Sequence, residues 1–448
     1  MRKYLYLILV AITGLFFVLI LIFAKKTEAS IPSFKERSGS IALTGEWLNT
    51  KQVIKSLLTA LEANPNDTKS KLKLAQAYIE EARITGDHGY YDNASLELLD
   101  DVLETEPSNF DALCCKATVL LSQHHFSDGL AIAQQALPLN TNSAFIYGLM
   151  CDANVELGQY DQAIKMADKM VSVRPDMRSY SRISYLREIY GDYKGAIEAA
   201  KMAVSAGYPG LEQTEFSRII LAHLYESTGA LDSAANQYNT ALYERPDYAF
   251  AIAGLGRIEK IKGNYKEAIA FYEKAKTMII EYSFSDELTD LYQLANQPEK
   301  AQKSAQEVID MLKPGSNEEE SSTAHGHYAD KELAYAYLKI SDTENALKHA
   351  KLEYERRPLN IDICEAMAWV NYKRKDYKEA NKYINTALKT KSNNPVLLCR
   401  AGLIKIKAGE QKAGEEMIRK AFEINPFIAD IAVKNEASSY LTGNTKGV

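Results

Sequence analysis

The stretch Ala249-Phe250-Ala251-Ile252-Ala253-Gly254-Leu255-Gly256, followed by Gly263-Asn264-Tyr265-Lys266-Glu267-Ala268-Ile269 and then Tyr272 and Ala275, decides the fold. Two apolar runs flank a glycine turn, and Pro246 marks the break before them. The same layout returns on both sides. Breaks fall at Pro65, Pro107, Thr141, Pro175, Pro209, Pro246, Ile280, Pro314, Pro358, Ser392 and Pro426. Their successive steps are 42, 34, 34, 34, 37, 34, 34, 44, 34 and 34, so seven of ten equal 34. Glycine turns recur at Gly158, Gly191, Gly229 and Gly263. A small residue follows each turn, at Ala94, Gly129, Ala163, Ala196, Ala234, Ala268, Ala301, Ala346, Ala380 and Ala413.

Within a unit the apolar residues recur at helical spacing, as in Ala196, Ile197, Ala200, Ala203 and Val204. Gly turns and Pro breaks bound helices of about 12–15 residues. A small residue after the turn lets two helices cross closely, and one hairpin cannot bury its apolar face alone. The period therefore predicts an all-α solenoid. Leu255, Gly256, Ala268, Tyr272 and Ala275 stand at consensus places 7, 8, 20, 24 and 27 of the tetratricopeptide repeat, the helix–turn–helix unit that this period resembles. The resemblance departs at places 4 and 11, where Ile252 and Glu259 replace Trp and Tyr. It covers about residues 66–426. Ser179-Tyr180-Ser181-Arg182-Ile183-Ser184-Tyr185-Leu186-Arg187-Glu188 also resembles a segment of bacterial proteins of this kind. The resemblance implies a right-handed superhelix of about ten repeats.

The organisation expected is an N-terminal anchor or signal segment over 1–30, a linker over 31–45, the solenoid over 46–426, and a cap and tail over 427–448. Ile428, Ile431 and Ala432 are expected to cover the last apolar face. Three irregularities interrupt the period. Thr85 to Asp92 reads as a long turn, Gly210 to Gln213 as a short insertion, and Gly315 to Thr323 as an acidic, flexible loop.

Tyr4 to Ala24 carries no charge across 21 positions. As a helix it is about 31 Å long, close to the ~30 Å hydrocarbon core, so the expected reading is an uncleaved single-pass anchor. A cleaved signal ending near Ala29 is the alternative. Arg2 and Lys3 favour an inside N-terminus with the solenoid outside the cytoplasm, in a periplasmic setting, while Lys25, Lys26, Lys35 and Arg37 pull the other way.

Among 448 residues, Lys plus Arg (53) and Asp plus Glu (59) give a net charge of −6, with no dense basic run, which argues against a nucleic-acid partner. The five Cys form no CxxC pair and read as buried free thiols. His325-Gly326-His327 beside Glu318, Glu319 and Glu320, and His88 with Asp87 and Asp92, are thin metal candidates, and neither is assigned a metal. No GxSxG, Walker A, HExxH or dinucleotide fingerprint occurs, so neither an enzyme nor a cofactor is expected.

In tetratricopeptide proteins places 2, 5, 9 and 12 of the first helix face a concave groove. The resemblance carries these places to Phe145, Phe216, Phe250, Phe284 and Tyr328 at place 2, with Tyr335, Trp369 and Tyr372 further along and Arg257 and Lys331 among the charges. Two roles remain open for the aromatics: packing between neighbouring first helices, or lining a groove for a peptide. The function expected is a non-catalytic scaffold or adaptor, held at a membrane through residues 4–24, that binds a protein or peptide. The alternatives are a cytoplasm-facing assembly or regulatory factor and an exported receptor for a peptide or glycan.

Overall fold

A computed structural model describes residues 31–313 and 327–442. Among these residues there are 22 α-helices and no strand. Helix α1 (Gly45–Ala63) precedes ten hairpins. These are α2 (Thr68–Thr85) with α3 (His88–Thr105), α4 (Phe110–Ser122) with α5 (Phe126–Ala136), α6 (Ala144–Glu156) with α7 (Tyr160–Val173), α8 (Met177–Ile189) with α9 (Tyr193–Ala206), and α10 (Glu212–Ser227) with α11 (Leu231–Glu244). They continue as α12 (Ala249–Lys262) with α13 (Tyr265–Lys276), α14 (Tyr282–Leu294) with α15 (Pro298–Leu312), α16 (Asp330–Lys339) with α17 (Thr343–Arg356), α18 (Ile361–Lys373) with α19 (Tyr377–Ala387), and α20 (Pro395–Lys407) with α21 (Gln411–Ile424). Helix α22 (Ile431–Thr442) ends the described chain.

The turn inside each hairpin follows one rule. A single residue takes positive φ: Gly86, His124, Gly158, Gly191, Gly229, Gly263, Asn296, Ser341, Lys375 and Gly409 in order. From the second hairpin onward the next N–H reaches back to a carbonyl five places earlier, as in Gln159 to Asn154 (2.8 Å) and Gln297 to Tyr292 (2.7 Å). This closure satisfies the last carbonyls of the first helix and fixes the reversal. First helices start on side-chain caps at Asp176, Asn360 and Asn394, the last followed by Pro395 at the first helical position. Hairpins close over the small residues. Ala163, Ala196, Ala234, Ala268, Ala346 and Ala380 are fully buried, and a Cβ on Gly256 would lie 3.0 Å from the Tyr272 ring of the same hairpin.

Several expectations need correction. The segment from Thr85 to Asp92 is no long turn. Only Gly86 and Asp87 leave the helices, and the extra residues instead lengthen α2 and α3 to 18 residues each. In the last hairpin the crossing belongs to Gly414, whose Cβ would meet the Gly402 carbonyl at 2.5 Å; Ala413, one place earlier, is only half-buried. Residues 31–45 are not a free linker. Tyr78 Oη donates to the Pro32 carbonyl (2.5 Å), Arg37 and Glu81 form an ion pair with no solvent exposure, and Gly45 already opens α1. At the other end Ile428, Val433 and Ala437 bury against α20, whereas Ile431 is half-exposed and Ala432 exposed, because the inward stripe of α22 runs through 433 and 437. The anchor over Tyr4–Ala24 and the acidic insertion from Gly315 to His325 lie outside the described residues. Among the described residues no helix is long and apolar enough to cross a membrane.

The array coils until it touches itself. Thr85 O accepts from Ile280 N (3.1 Å) and Gln123 O from Tyr328 N (3.1 Å). The amide of Asn360 donates to Glu156 O (2.9 Å), that of Asn393 to Gly191 O (2.9 Å), and that of Asn425 to Glu226 O (2.8 Å). Before them, Glu46 at the head of α1 pairs with Arg245 at 2.9 Å. Each contact joins the turn of one repeat to the start of the repeat six places later, so the superhelix completes a turn in about six repeats and successive coils form a seam. The seam is tight. A Cβ on Gly158 would sit 2.2 Å from the Leu359 carbonyl, and one on Gly86 would sit 1.9 Å from the Ile280 oxygen. Arg357, almost fully buried, crosses the seam to Glu156 at 2.5 Å.

Candidate partner-binding interior

Closing the coils turns the concave face into an interior. A cavity of about 870 Å³ occupies it, lined by one face of the first helices of six successive repeats. Ile79, Glu80 and Arg83 come from α2, Cys115 and Thr118 from α4, and Phe145, Leu149 and Asp152 from α6. Arg178 and Arg182 come from α8, Phe216 from α10 and Phe250 from α12. Lys331, Glu332 and Arg357, from the next coil, close it. A depression of similar size near Lys276, Glu299 and Lys303 lies among solvated charged side chains and gathers no aromatic group.

Four of the ten residues expected at a groove line this cavity: Phe145, Phe216, Phe250 and Lys331. Phe216, Phe250 and Phe284 form a row of edge-to-face rings, with centroids 6.0 and 5.8 Å apart. Their burial is graded. Phe216 is 41% exposed, Phe250 is half-buried, and Phe284 is in the core at 2%. The row thus starts at the cavity and ends between helices, so the two roles divide along it.

The other expected residues are engaged elsewhere. Tyr328 stacks on His125 across the seam (4.0 Å) beneath the Arg356 guanidinium (4.1 Å). Tyr335 Oη accepts from Arg400 (3.2 Å). Trp369 and Tyr372 stack on each other (4.9 Å), and both are buried. Arg257 is bound to Glu226 at 2.6 Å. These five positions lie off the cavity lining, because coiling folds their helices against other elements. The lining residues that sequence reasoning missed include Arg178, Glu332 and Arg357. The last two enter only because repeat eight reaches back across the seam. The Asn residues at 360, 393 and 425, one per repeat start, were the available signal for that closure.

The charges lining the cavity balance. Glu80, Asp152, Glu156, Glu212 and Glu332 face Arg83, Arg178, Arg182, Lys331 and Arg357. Arg182 grips Asp152 through two nitrogens (2.8 and 2.5 Å), and although burial works against its charge, Asp152 raises its pKa. Glu332, 3.2 Å from Lys331, holds that ammonium well above its usual range. Burial pushes the Glu156 carboxyl up while Arg357 pulls it back. Arg178 differs: it lies over the Phe145 ring (5.4 Å), and burial together with neighbouring Arg182 lowers its pKa. Further along α8, burial and the nearby Asp362 push Glu188 up to about 7.

Ser122 and His88 of the lining meet each other (3.1 Å) and Asp92 (3.0 and 3.1 Å), but the serine and the carboxylate share the one ring nitrogen Nδ1, so the imidazole does not bridge them as a base between nucleophile and acid. The five cysteines are buried and unpaired with one another, and burial pushes Cys114 up to about 12. His327 lies on His124 (4.3 Å) inside the seam, where burial pushes it down to about 3. Among the described residues no group of three or more His, Cys, Asp or Glu is placed to hold a metal.

These features define an all-helical array of helix–turn–helix repeats, and residues 221–283 match the tetratricopeptide repeat family model. Among particular proteins, the chain is similar to the human protein O-mannosyl-transferase TMTC1, 25% identical over 162 residues, 34% of this chain and 18% of that protein. The chain therefore spans less than a fifth of that relative. Solved structures similar to it include a thermophilic TPR protein of Thermus thermophilus (TM-score 0.37, 21% identical, 41% of this chain and 94% of that one). Yeast Tom70 (0.35, 15%, 89% and 94%) and the human IFIT1 dimer with PPP-AAAA (0.45, 13%, 85% and 88%) are also similar.

Proposed function

We propose that this chain is a non-catalytic scaffold that holds an extended protein segment inside its superhelix. The observation that carries the reading is the cavity lined by Phe145, Phe216 and Phe250 among balanced charges. Aromatic rings give large contact area at low entropic cost, and they dominate binding hot spots. Five acids against five bases suit a polypeptide of mixed charge, whereas a nucleic acid calls for a basic face. We further propose that residues 4–24 tether the chain to a membrane, with the solenoid on the extracytoplasmic side. The support is the uncharged run from Tyr4 to Ala24. The tether would raise the local concentration of a partner at that surface.

The test is partner capture by the full chain against Phe216→Ala, a variant in the least buried ring of the row. The expected result is weaker capture with unchanged helical circular dichroism. Unchanged capture by a folded Phe216→Ala protein would reject the interior as the binding surface. Carbonate-resistant membrane fractionation of the full chain tests the tether separately.

A further inference from the structure

The charges that line the cavity do not all neutralise one another. Arg83 pairs with Glu212, Arg182 with Asp152 at 2.5 Å, Lys331 with Glu332 at 3.2 Å, and Arg357 with Glu156 at 2.5 Å. Of the five acids and five bases, one of each is left over. Among the described residues the Arg178 guanidinium has no carboxylate within 4 Å, and its neighbour is the Phe145 ring. Glu80 likewise has no cation within 4 Å. The Glu80 charge favours the charged form of Arg178, but burial and Arg182 outweigh it.

The two stand on opposite walls. Glu80 belongs to repeat one and Arg178 to repeat four, three steps apart in a coil that turns once in about six repeats. Ile79, Phe145, Leu149 and Phe216 supply apolar surface to the same lining. A charge that is partly withdrawn from water and lacks a partner is costly to hold, and an opposite charge brought to it removes that cost. The four paired cations must release their own carboxylates to bind another, whereas Arg178 has none to release. Its planar fork also suits a carboxylate better than a point charge does.

We propose that the cavity takes an extended polypeptide segment carrying one acidic and one basic side chain, the acid on the Arg178 guanidinium and the base on Glu80. This rests on the interior being the binding surface. The acid is a side chain of a passing segment rather than a chain terminus, because the lining continues beyond Arg178 to Phe216 and Phe250 on one side and to Phe145 and Leu149 on the other. Opposite walls put the two ligand charges on opposite sides of the segment. Successive side chains of an extended chain point to opposite sides, so the acid and the base stand at an odd separation in its sequence.

A display library of random dodecapeptides, fused to its carrier through the C-terminus, is selected on the full chain in a non-ionic detergent. Enriched segments should carry an acidic and a basic residue at an odd separation. A synthetic copy of one then enters a double-mutant cycle read by fluorescence anisotropy. Replacing its acid by the amide, or Arg178→Gln in the protein, should each weaken binding about tenfold, and both together no more than either alone. The peptide's base and Glu80→Gln should behave in the same way. Arg178→Lys should lose less than Arg178→Gln, and circular dichroism checks that each variant keeps wild-type helicity. Binding that Phe216→Ala weakens but that Arg178→Gln and Glu80→Gln leave unchanged would overturn the charge pairing and keep the interior as the binding surface. Additive losses in the cycle, or enriched segments without the two charges at an odd separation, would overturn the pairing as well. Binding indifferent to all three positions, or no enriched segment at all, would overturn both readings.

Discussion

Gly158→Ala tests the seam through two separable costs. Gly158 has φ of 73°, and the left-handed region costs a residue with a Cβ about 1–2 kcal/mol. Gly263 has φ of 85° in the equivalent turn of repeat six, so Gly263→Ala carries the same cost. The difference is what the methyl meets. At Gly263 it meets nothing within 4 Å, and at Gly158 it lies 2.2 Å from the Leu359 carbonyl and 2.6 Å from Asn360 N. Those are backbone atoms and cannot swing aside. Either the seam strains, at about 1–3 kcal/mol as in an overfilled core, or it parts and loses the Asn360 amide bonds to Glu156 O and Val155 O, each net about 0.5–1.5 kcal/mol. Gly158→Ala should therefore lose about 1–3 kcal/mol more than Gly263→Ala. Urea unfolding followed by circular dichroism at low protein concentration measures the difference, and small-angle scattering registers any opening of the coil. Equal losses at the two glycines would show that coils do not press on each other at 158.

Three further outcomes follow from particular side chains. Phe284→Ala, in the buried end of the aromatic row, should cost about 3–5 kcal/mol in a thermal or urea melt, far more than Phe216→Ala. Arg37→Ala should cost about 3–5 kcal/mol, because it leaves Glu81 buried and unpaired, and limited proteolysis should then cut within residues 31–43. Glu188 binds its proton more tightly when folded, since its pKa rises from 4.5 to about 7. Its contribution is present below about pH 4.5 and is lost as pH climbs through 7. Glu188→Gln should thus raise stability at pH 8 by about 1–3 kcal/mol and change little at pH 4.5, read from melts at both values.

The repeat was legible in the sequence because its rules are local. A turn residue, a small residue after it and a break one period on each act within one hairpin, and the ten hairpins lie where that period puts them. Errors arose where a local cue was ambiguous by one residue or one turn. Ala413 and Gly414 are both small, and only packing against Gly402 separates them. Gly89 made residues 85–92 look like a turn, yet the helix absorbs it at position two of α3. The interior was less legible, because it depends on the geometry of a whole coil, six repeats long. Place 2 pointed to Phe145, Phe216 and Phe250, which line one cavity. It could not say that Phe284 lies in the core, that Trp369 and Tyr372 stack together, or that Arg357 reaches Glu156 from a repeat far along the chain.

The central claim is that the partner lies inside the superhelix, and site-specific photo-crosslinking tests it most directly. A benzophenone side chain is placed at position 216, which faces the cavity, and in a second protein at position 243, whose tyrosine is 83% exposed at the end of α11. The account predicts a discrete adduct with a partner polypeptide from position 216 and none from position 243. Adducts from position 243 with none from 216 would contradict it.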